Sequence, residues 1–435
     1  MDLTVTLEAR YSVAPDGSVW AQIGMAHSFW ERYLEVFNTV KVVARGTPVM
    51  QPPTGWLRVD GDGVVFHCVP DYCGPWEYLK RRTAVQSAIR AALPASGAVI
   101  LRVGSSQIAN ILAGELHHRN YPYAVEVIGD PYEVFAPGVV DHPFRPLFRW
   151  HFSRRLRQQC LRANGAAYVT RATLQARYPS RSNFSVSDVD LTEGSFLDAG
   201  SAYYSNVELN AECITKSTYK PRKHGPFRLV SIGSLEQMYK GMDVLIDAMA
   251  QCLRGGVDVT AVIVGDGKFR PILMAQTERL GLASHIQFAG WVTAGEPVRQ
   301  ILDEADLFVL ASRTEGLPRA MVEAMARARP CIGSNVGGIP ELLDASEMVP
   351  ADDSQALADK IIAVLRDSNR MEAMSRLNLE RSREYCDTVL NERRRRFYEH
   401  VRDFTREWGR THRQVPSKSS GRESKQPPVT PSHRN

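Results

Sequence analysis

The chain has 435 residues, of which 44% are hydrophobic and 23% are charged, and its formal net charge is +5. This length allows two domains with separate cores, and no stretch approaches the roughly 20 apolar residues that a membrane-spanning helix needs. The seven cysteines are odd in number and dispersed, which favours reduced thiols in a cytosolic setting over a disulfide framework. Because Met1–Thr4 lacks a basic start and a long apolar core, we expect no signal peptide.

The first half of the chain alternates irregularly between apolar runs and helical patterns. Apolar runs predict strands at residues 3–8, 38–44, 98–103, 123–128 and 166–170. Helical spacing predicts helices at residues 19–36, 76–92, 105–118 and 144–164.

A basic and aromatic segment follows at residues 142–162, where five arginines of the stretch from His142 to Arg157 alternate with aromatic residues. Such a helix could lie on an anionic membrane surface, toward which the positive net charge would draw the protein. Alternatively, the aromatic residues pack inward and the arginines are solvated. We do not expect nucleic acid as a partner, because no recognised binding module accompanies the segment.

The second half alternates with great regularity. After a polar, basic linker at residues 216–226, strands are predicted at 227–233, 259–264, 286–290, 307–311 and 331–334, with helices at 242–254, 269–281, 296–304, 318–328 and 355–367. This alternation is typical of a doubly wound parallel sheet, in which ligands bind beyond the carboxyl ends of the strands. The residues predicted at that edge include Gly233, Gly265, Trp291, Glu315 and Gly337.

The segment from Ala311 to Met325 sets two glutamates around the start of a helix. Glu315 is predicted in the strand-to-helix loop, Pro318 at the first helical position, and Glu323 inside the helix. A helix start is a ready anion site, to which the amides of Gly316, Leu317 and Arg319 could contribute. If a diphosphate binds there, the two carboxylates are natural acceptors for sugar and ribose hydroxyls. The alternative is a surface helix whose early acidic residues only favour its dipole.

The spacing of Glu315 and Glu323 matches the E-x7-E motif of the retaining glycosyltransferases of family four. Other short sequence motifs of that family occur in this chain in the same order. They lie at residues 229–235, at Lys240-Gly241 with Leu245-Ile246, at residues 264–267, at Gly290-Trp291 and at residues 336–342. The chain therefore resembles this family, closely over residues 227–345 and only in its general pattern before them. The resemblance implies an α/β chain of the GT-B fold, with two Rossmann-like doubly wound parallel-sheet domains facing a cleft.

The resemblance also implies a division of the chain. We expect an N-terminal acceptor domain at residues 1–215, a linker at 216–226 and a nucleotide-sugar-binding domain at 227–385. A helix at 386–410 would pack back on the first domain. Residues 411–435 contain few aliphatic side chains and should form a disordered basic tail.

The resemblance assigns catalytic roles to Glu315, Lys240 and, less directly, Asp130. Lys240 would bind a phosphate as a point charge, although a solvated lysine is the alternative. Asp130 stands where the family often has a histidine, and it could equally be a turn residue before proline. The implied donor-binding set is Glu323, Gly233, Ser234, Gly265, Gly267, Trp291, Arg313, Gly316, Leu317 and Arg319.

Within this donor-binding set, Ser234 occupies the usual place of a phosphate-binding arginine. Either another arginine, such as Arg313 or Arg319, replaces that charge, or the leaving group is held more weakly. The Gly265–Gly267 stretch could be a turn and nothing else, and Trp291 could stack on a base, cap the core or contribute only its backbone.

A metal site is not expected. Asp188-Val189-Asp190 matches the sequence of an Asp-x-Asp metal-binding loop. Because it lies in the less regular part of the first half, we interpret the match as a coincidence. The fixed positive charge of Lys240 and the helix-start amides would replace a metal at the leaving group, so neither a metal nor another cofactor is predicted.

The sequence thus predicts a cytoplasmic retaining hexosyltransferase, which would be peripherally membrane-bound if the segment at residues 142–162 lies on a membrane surface. It would move a sugar from a nucleoside diphosphate sugar to a glycan or a lipid-linked saccharide, in surface polysaccharide or glycoconjugate biosynthesis. Two alternatives stay open: a nucleotide-sugar isomerase of the same build, and a non-catalytic scaffold that has kept the donor pocket.

Overall fold

A computed structural model of the protein describes residues 1–21, 25–52, 54–137, 139, 142–180, 209–216 and 219–413, together with the backbone of 196–198 and 201–203. In the described part of the chain, two α/β domains are followed by a long C-terminal helix. None of the described helices combines the length and the apolar character that crossing a bilayer requires.

The first domain is built on a largely parallel sheet. Its strands are β1 (Asp2–Val13), β2 (Val19–Ala21), β3 (Thr39–Pro48), β4 (Leu57–Arg58), β5 (Val64–Pro70), β6 (Ala98–Val103), β7 (Ala124–Val127), β8 (Ala166–Tyr168), β9 (Phe196–Asp198) and β10 (Ser201–Tyr203). Its helices are α1 (His27–Leu34), α2 (Gly74–Ala91), α3 (Gln107–His118), α4 (Pro131–Val134), α5 (Arg145–Arg162) and α6 (Thr173–Arg177). The parallel strands run in the order β5, β3, β1, β6, β7, β8, β10, whereas β2, β4 and β9 pair antiparallel.

The second domain is built on a parallel sheet in the order β13, β12, β11, β14, β15, β16. Its strands are β11 (Phe227–Ile232), β12 (Val259–Val264), β13 (Ile286–Gly290), β14 (Leu307–Leu310), β15 (Cys331–Ser334) and β16 (Met348–Val349). Its helices are α7 (Met242–Arg254), α8 (Arg270–Arg279), α9 (Glu296–Asp303), α10 (Arg319–Ala326), α11 (Ser354–Leu365) and α12 (Ser368–Ser382). The strand order reverses between β11 and β14, where a doubly wound sheet opens a ligand crevice.

The predicted helix at residues 19–36 is wrong in its first half. Val19–Ala21 instead forms β2, which pairs antiparallel with the end of β1, and the helix occupies only His27–Leu34. Val19 and Ala21 are buried whereas Trp20 is only half-buried, so the apolar residues follow a strand period rather than a helical one. The sequence reading also missed β5, which pairs parallel with β3.

The last helix, α13, spans Asp387–Arg413 and packs on the first domain. Its Tyr398 hydroxyl donates a hydrogen bond of 3.1 Å to Glu126, and its ring stacks on Tyr33 at 4.6 Å between ring centroids. The helix begins one residue later than predicted and extends further at its C-terminal end, because residues 411–413 of the expected tail belong to it. The rest of that tail, residues 414–435, lies outside the described residues, as does Asp188-Val189-Asp190.

Candidate active site

The candidate site begins at the carboxyl end of β14. This strand is buried throughout, and the chain then turns through residues 311–318 into α10. Pro318 is the residue that precedes the helix rather than its first member, since its ψ of 105° is extended. Among the described residues, the amides of Gly316, Leu317 and Arg319 have no protein acceptor. A helix start with unfilled amides is therefore present where the sequence predicted an anion site.

A buried ion pair lies directly beside this helix start. The Lys240 Nζ atom donates a hydrogen bond of 2.6 Å to Glu315 Oε1, and the Ser312 hydroxyl donates to the same oxygen at 2.6 Å. Both side chains are largely buried, with 16% of Lys240 and 7% of Glu315 exposed. Since an ammonium group has three N–H donors, Lys240 can hold Glu315 and bind an anion at the same time.

Close backbone packing fixes the loops that carry this pair. Gly337 has φ 54°, and a Cβ there would lie 1.9 Å from the carbonyl oxygen of Glu315. A Cβ at Gly241 would likewise lie 1.9 Å from the carbonyl of Ala311. The loops after β11, β14 and β15 thus pack closely against one another at one edge of the sheet. Only glycine fits at positions 241 and 337, where these loops touch.

Glu323 lies inside α10 and lines a cavity of about 420 Å³. Arg299 of α9 and Arg319 of α10 line the same cavity. Within the described part of the chain, the Glu323 carboxylate makes neither a hydrogen bond nor an ion pair. Burial raises its pKa, and the positive charges of Arg319 and Arg299 partly offset that rise. A half-buried carboxylate without a partner, between two cations, is suited to accept hydroxyl groups from a ligand.

Several donor-site predictions fall on residues that already have partners. Arg313 forms ion pairs with Asp243 and Asp352, at 2.7 and 2.6 Å, and does not point its charge at Lys240 or Glu315 in these contacts. Ser234 accepts a hydrogen bond of 3.2 Å from the amide of Glu236. Trp291, by contrast, is largely solvent-exposed, with 58% of its surface accessible. Of the two arginines considered for the charge missing at Ser234, Arg313 is thus engaged by aspartates, whereas Arg319 is exposed and lines the Glu323 cavity.

The remaining predicted glycines act through packing. A Cβ at Gly265 would lie 1.9 Å from the carbonyl of Gly233, and one at Gly267 would lie 2.2 Å from the amide of Glu236. The amide of Gly233 donates to the carbonyl of Val264 at 2.9 Å. This geometry favours a structural role in joining the loops after β11 and β12.

Asp130 is buried in the first domain, at the start of α4. Its carboxylate accepts hydrogen bonds from the Tyr132 amide at 2.9 Å and the Tyr178 hydroxyl at 2.6 Å, and it also pairs with Arg177. Three partners occupy most of its acceptor capacity. The contacts favour the structural alternative for Asp130 over a role in hydrogen bonding to a sugar.

The β14–α10 loop (residues 311–318) lies close to the first domain. A Cβ at Gly316 would lie 3.8 Å from the Val169 side chain and 3.9 Å from the carbonyl oxygen of Ile128. The sequence reading missed two residues near this site, Arg299 in the cavity and Glu341 after β15. Glu341 stands inside the phrase 336–342 that carried the resemblance, but only the tertiary structure shows what it contacts.

Comparison with known proteins agrees with this architecture. Residues 226–367 match the family described as "Glycosyl transferases group 1". The chain is 24% identical to protein CapJ of Staphylococcus aureus over 323 residues, covering 73% of this chain and 74% of CapJ. It is 34% identical over 147 residues to the putative colanic acid biosynthesis glycosyltransferase WcaL of Escherichia coli, covering 32% of this chain and 36% of WcaL. The match to WcaL thus spans about a third of that relative's length.

The fold also matches a solved structure. HepE of Anabaena, in complex with UDP-glucose, superposes with a TM-score of 0.57 at 16% identity, over 91% of this chain and 98% of HepE. These findings agree on the fold, which is the two-domain GT-B fold found in glycosyltransferase structures. Similarity to the glycosyltransferase group 1 family itself extends over residues 226–367.

Proposed function

We propose that the protein is a retaining glycosyltransferase that uses a nucleoside diphosphate sugar as donor. The observation that carries this proposal is the Lys240–Glu315 pair at the open start of α10, next to the cavity that holds Glu323. A donor diphosphate would bind the amides of residues 316–319 and Lys240. Glu323 would accept ribose hydroxyls, and Glu315 would accept a hydrogen bond from the sugar. The HepE structure, which contains UDP-glucose, supports this class of ligand.

The proposed chemistry depends on positive potential at the leaving group. As the bond to the anomeric carbon breaks, negative charge accumulates on the diphosphate, and fixed donors aimed at those oxygens stabilise the transition state more than the ground state. Lys240 and the free amides supply such donors without a metal ion. We therefore propose transfer that does not depend on a metal.

The transfer experiment is an incubation of the full chain with a panel of nucleoside diphosphate sugars and saccharide acceptors. We expect nucleoside diphosphate to be released only when an acceptor is present. NMR should show that the product has the same anomeric configuration as the donor. Addition of EDTA should change the rate of transfer by less than about twofold. An inverted product would contradict the retaining mechanism, and loss of activity with EDTA would contradict metal independence. Conversion of the donor alone to an epimer would favour an isomerase, and binding without turnover would favour a scaffold.

We propose that the acceptor is a glycan or a lipid-linked saccharide at an anionic membrane surface on the cytoplasmic side. WcaL, which its name assigns to colanic acid biosynthesis, supports an acceptor of the polysaccharide type. At the start of α5, Phe144, Leu147 and Trp150 recur at intervals of three residues and are 54%, 55% and 58% exposed. Further along the helix, Leu156 and Cys160 pack into the core. Arg154 lies over the Trp150 ring at 5.6 Å. An exposed apolar stripe among arginines is the pattern of an interfacial helix.

The membrane proposal predicts a loss of vesicle binding when the stripe is removed. A triple substitution of Phe144, Leu147 and Trp150 by serine should weaken binding to vesicles that contain anionic lipid by about tenfold or more, because it removes most of the apolar area available for insertion. Co-sedimentation measures this effect. The matched control is Ile272→Ser with Met274→Ser, two exposed apolar residues of α8. Equal binding by the triple variant and the wild type would contradict the proposal.

A further inference from the structure

The two domains meet at a carboxylate outside the donor site. Glu341 follows β15, and its side chain reaches the start of α6 in the first domain. Its Oε2 accepts a hydrogen bond from the amide of Arg171 at 2.5 Å, and its Oε1 accepts from the amides of Ala172 and Thr173, both at 3.0 Å. The Thr173 hydroxyl lies 2.9 Å from the same Oε1. One carboxylate of the second domain therefore binds three successive amides of the first.

This contact is directly linked to the β14–α10 loop, residues 311–318, which is the proposed donor loop. Glu341 belongs to the segment that begins at Gly337 and Gly338. The amide of Gly338 donates to the carbonyl of Gly316 at 2.7 Å, and Gly337 packs against the backbone of Glu315. The Thr173 hydroxyl also lies 3.2 Å from the carbonyl of Gly337. A short path thus runs from α6, through Glu341 and Gly337, to the backbone of Glu315.

On the other side, α6 is anchored within the first domain. Leu174 and Tyr178 are buried. The Tyr178 hydroxyl donates to Asp130 at 2.6 Å, and Arg177 pairs with Glu133 at 2.9 Å as well as with Asp130. Asp130 thus holds the C-terminal end of α6, whereas Glu341 binds its N-terminal end.

A carboxylate at three amides is a directional contact. The amides at a helix start carry partial positive charge, and an ionised acceptor makes their hydrogen bonds stronger than neutral ones. At this contact, Arg171 and Ala172 remain exposed. If this contact opened, the carboxylate and the amides would bind water instead, so its net contribution to the free energy of closure is modest and the contact can open and close.

We propose that Glu341 is a positioning residue, which holds the first domain closed against the donor loop and thereby sets Glu315 and Gly316 in place for transfer. This inference rests on the proposed glycosyltransferase function. It predicts that removing the carboxylate lowers turnover without removing the donor pocket, because Lys240 and Glu323 do not contact Glu341 in the described residues.

The first test needs no substrate. Hydrogen exchange of the full chain should show the amides of residues 171–173 exchanging about tenfold faster in Glu341→Ala than in the wild type, since each loses its acceptor. Glu304→Ala is the matched control, because Glu304 is 60% exposed and pairs with Arg228 within the second domain; it should leave these amides within about twofold. Unchanged exchange in Glu341→Ala would overturn the contact.

The second test separates positioning from donor binding. In Glu341→Ala, kcat should fall about tenfold, while the Kd for UDP measured by calorimetry should change less than about threefold. Thr173→Val should lower kcat in the same direction, and the double variant should be no worse than Glu341→Ala alone, because both substitutions break one contact. A normal kcat in both single variants would overturn the proposal. So would a double variant whose loss of kcat equals the product of the two single losses.

Controls distinguish the possible failures. Glu341→Gln keeps the size of the side chain and one acceptor oxygen, so it should lie between the wild type and the alanine variant, and it replaces that variant if the latter does not fold. If the wild type transfers no sugar but exchange at residues 171–173 still responds to Glu341, the proposed function fails while the closing contact stands. If the wild type is active and neither exchange nor kcat responds, only the present inference fails.

Discussion

Replacement of Lys240 by Met is expected to lower kcat by about 100-fold or more, the effect typical of removing a preorganised donor from a developing negative charge. The ammonium group is held 2.6 Å from Glu315 at the open helix start, where the proposed diphosphate accumulates charge. Steady-state kinetics at saturating donor measure the effect. The matched control is Lys268→Met, a lysine of the same domain that is 56% exposed and 4.0 Å from Glu236, and it should leave kcat within about twofold.

A loss of stability has to be separated from this loss of activity. Removing Lys240 leaves the buried Glu315 carboxylate without its cation, which is expected to lower the free energy of unfolding by about 3 kcal/mol. The double variant Lys240→Met with Glu315→Gln removes the unpaired charge, so it should recover much of the stability and none of the activity. Recovery of turnover in the double variant would contradict an electrostatic role for Lys240.

Glu323→Gln is expected to raise the Kd for the donor nucleotide by about 10- to 100-fold, because charge-assisted hydrogen bonds to ribose become neutral ones. Glu315→Gln should instead chiefly lower kcat. Calorimetry with UDP, combined with kinetics, measures the split, and Glu278→Gln on the exposed face of α8 is the control. Normal kinetics in both Glu323→Gln and Glu315→Gln would show that neither residue has its assigned role.

The pH dependence of donor binding gives a second signature of Glu323. Burial raises the pKa of this carboxyl above its ordinary value. It is ionised above that pKa, so donor affinity should be full above the raised pKa and should weaken as the pH falls through it. The glutamine variant should lack this component of the pH profile.

The second domain was predictable because its strands are buried on both faces by helices. Each strand therefore reads as a short, continuous apolar run, and the predicted bounds of β12, β13 and β15 are confirmed. The first domain was harder to predict. The pairing of Val19–Ala21 with β1 is a contact between separate segments, and helical spacing in a local window could not reveal it.

The candidate site was predictable where one short segment carries it. Glu315 and Glu323 stand on either side of the start of α10 along one stretch of chain, so strand and helix signals were sufficient to place them. The sequence could not show that Lys240 pairs with Glu315, that Arg299 enters the Glu323 cavity or that Glu341 reaches the first domain. Each of these contacts joins loops that are distant in the chain, and their distances depend on how the sheets pack.

The central claim is that a nucleoside diphosphate sugar binds between the start of α10 and Lys240, with Glu315 and Glu323 on its two sides. A crystal structure of the full chain with such a donor tests this claim most directly. We expect the diphosphate oxygens within hydrogen-bonding distance of Lys240 Nζ and of at least two amides among Gly316, Leu317 and Arg319, with the ribose hydroxyls at Glu323. A donor bound elsewhere, or a diphosphate that contacts neither Lys240 nor these amides, would contradict it.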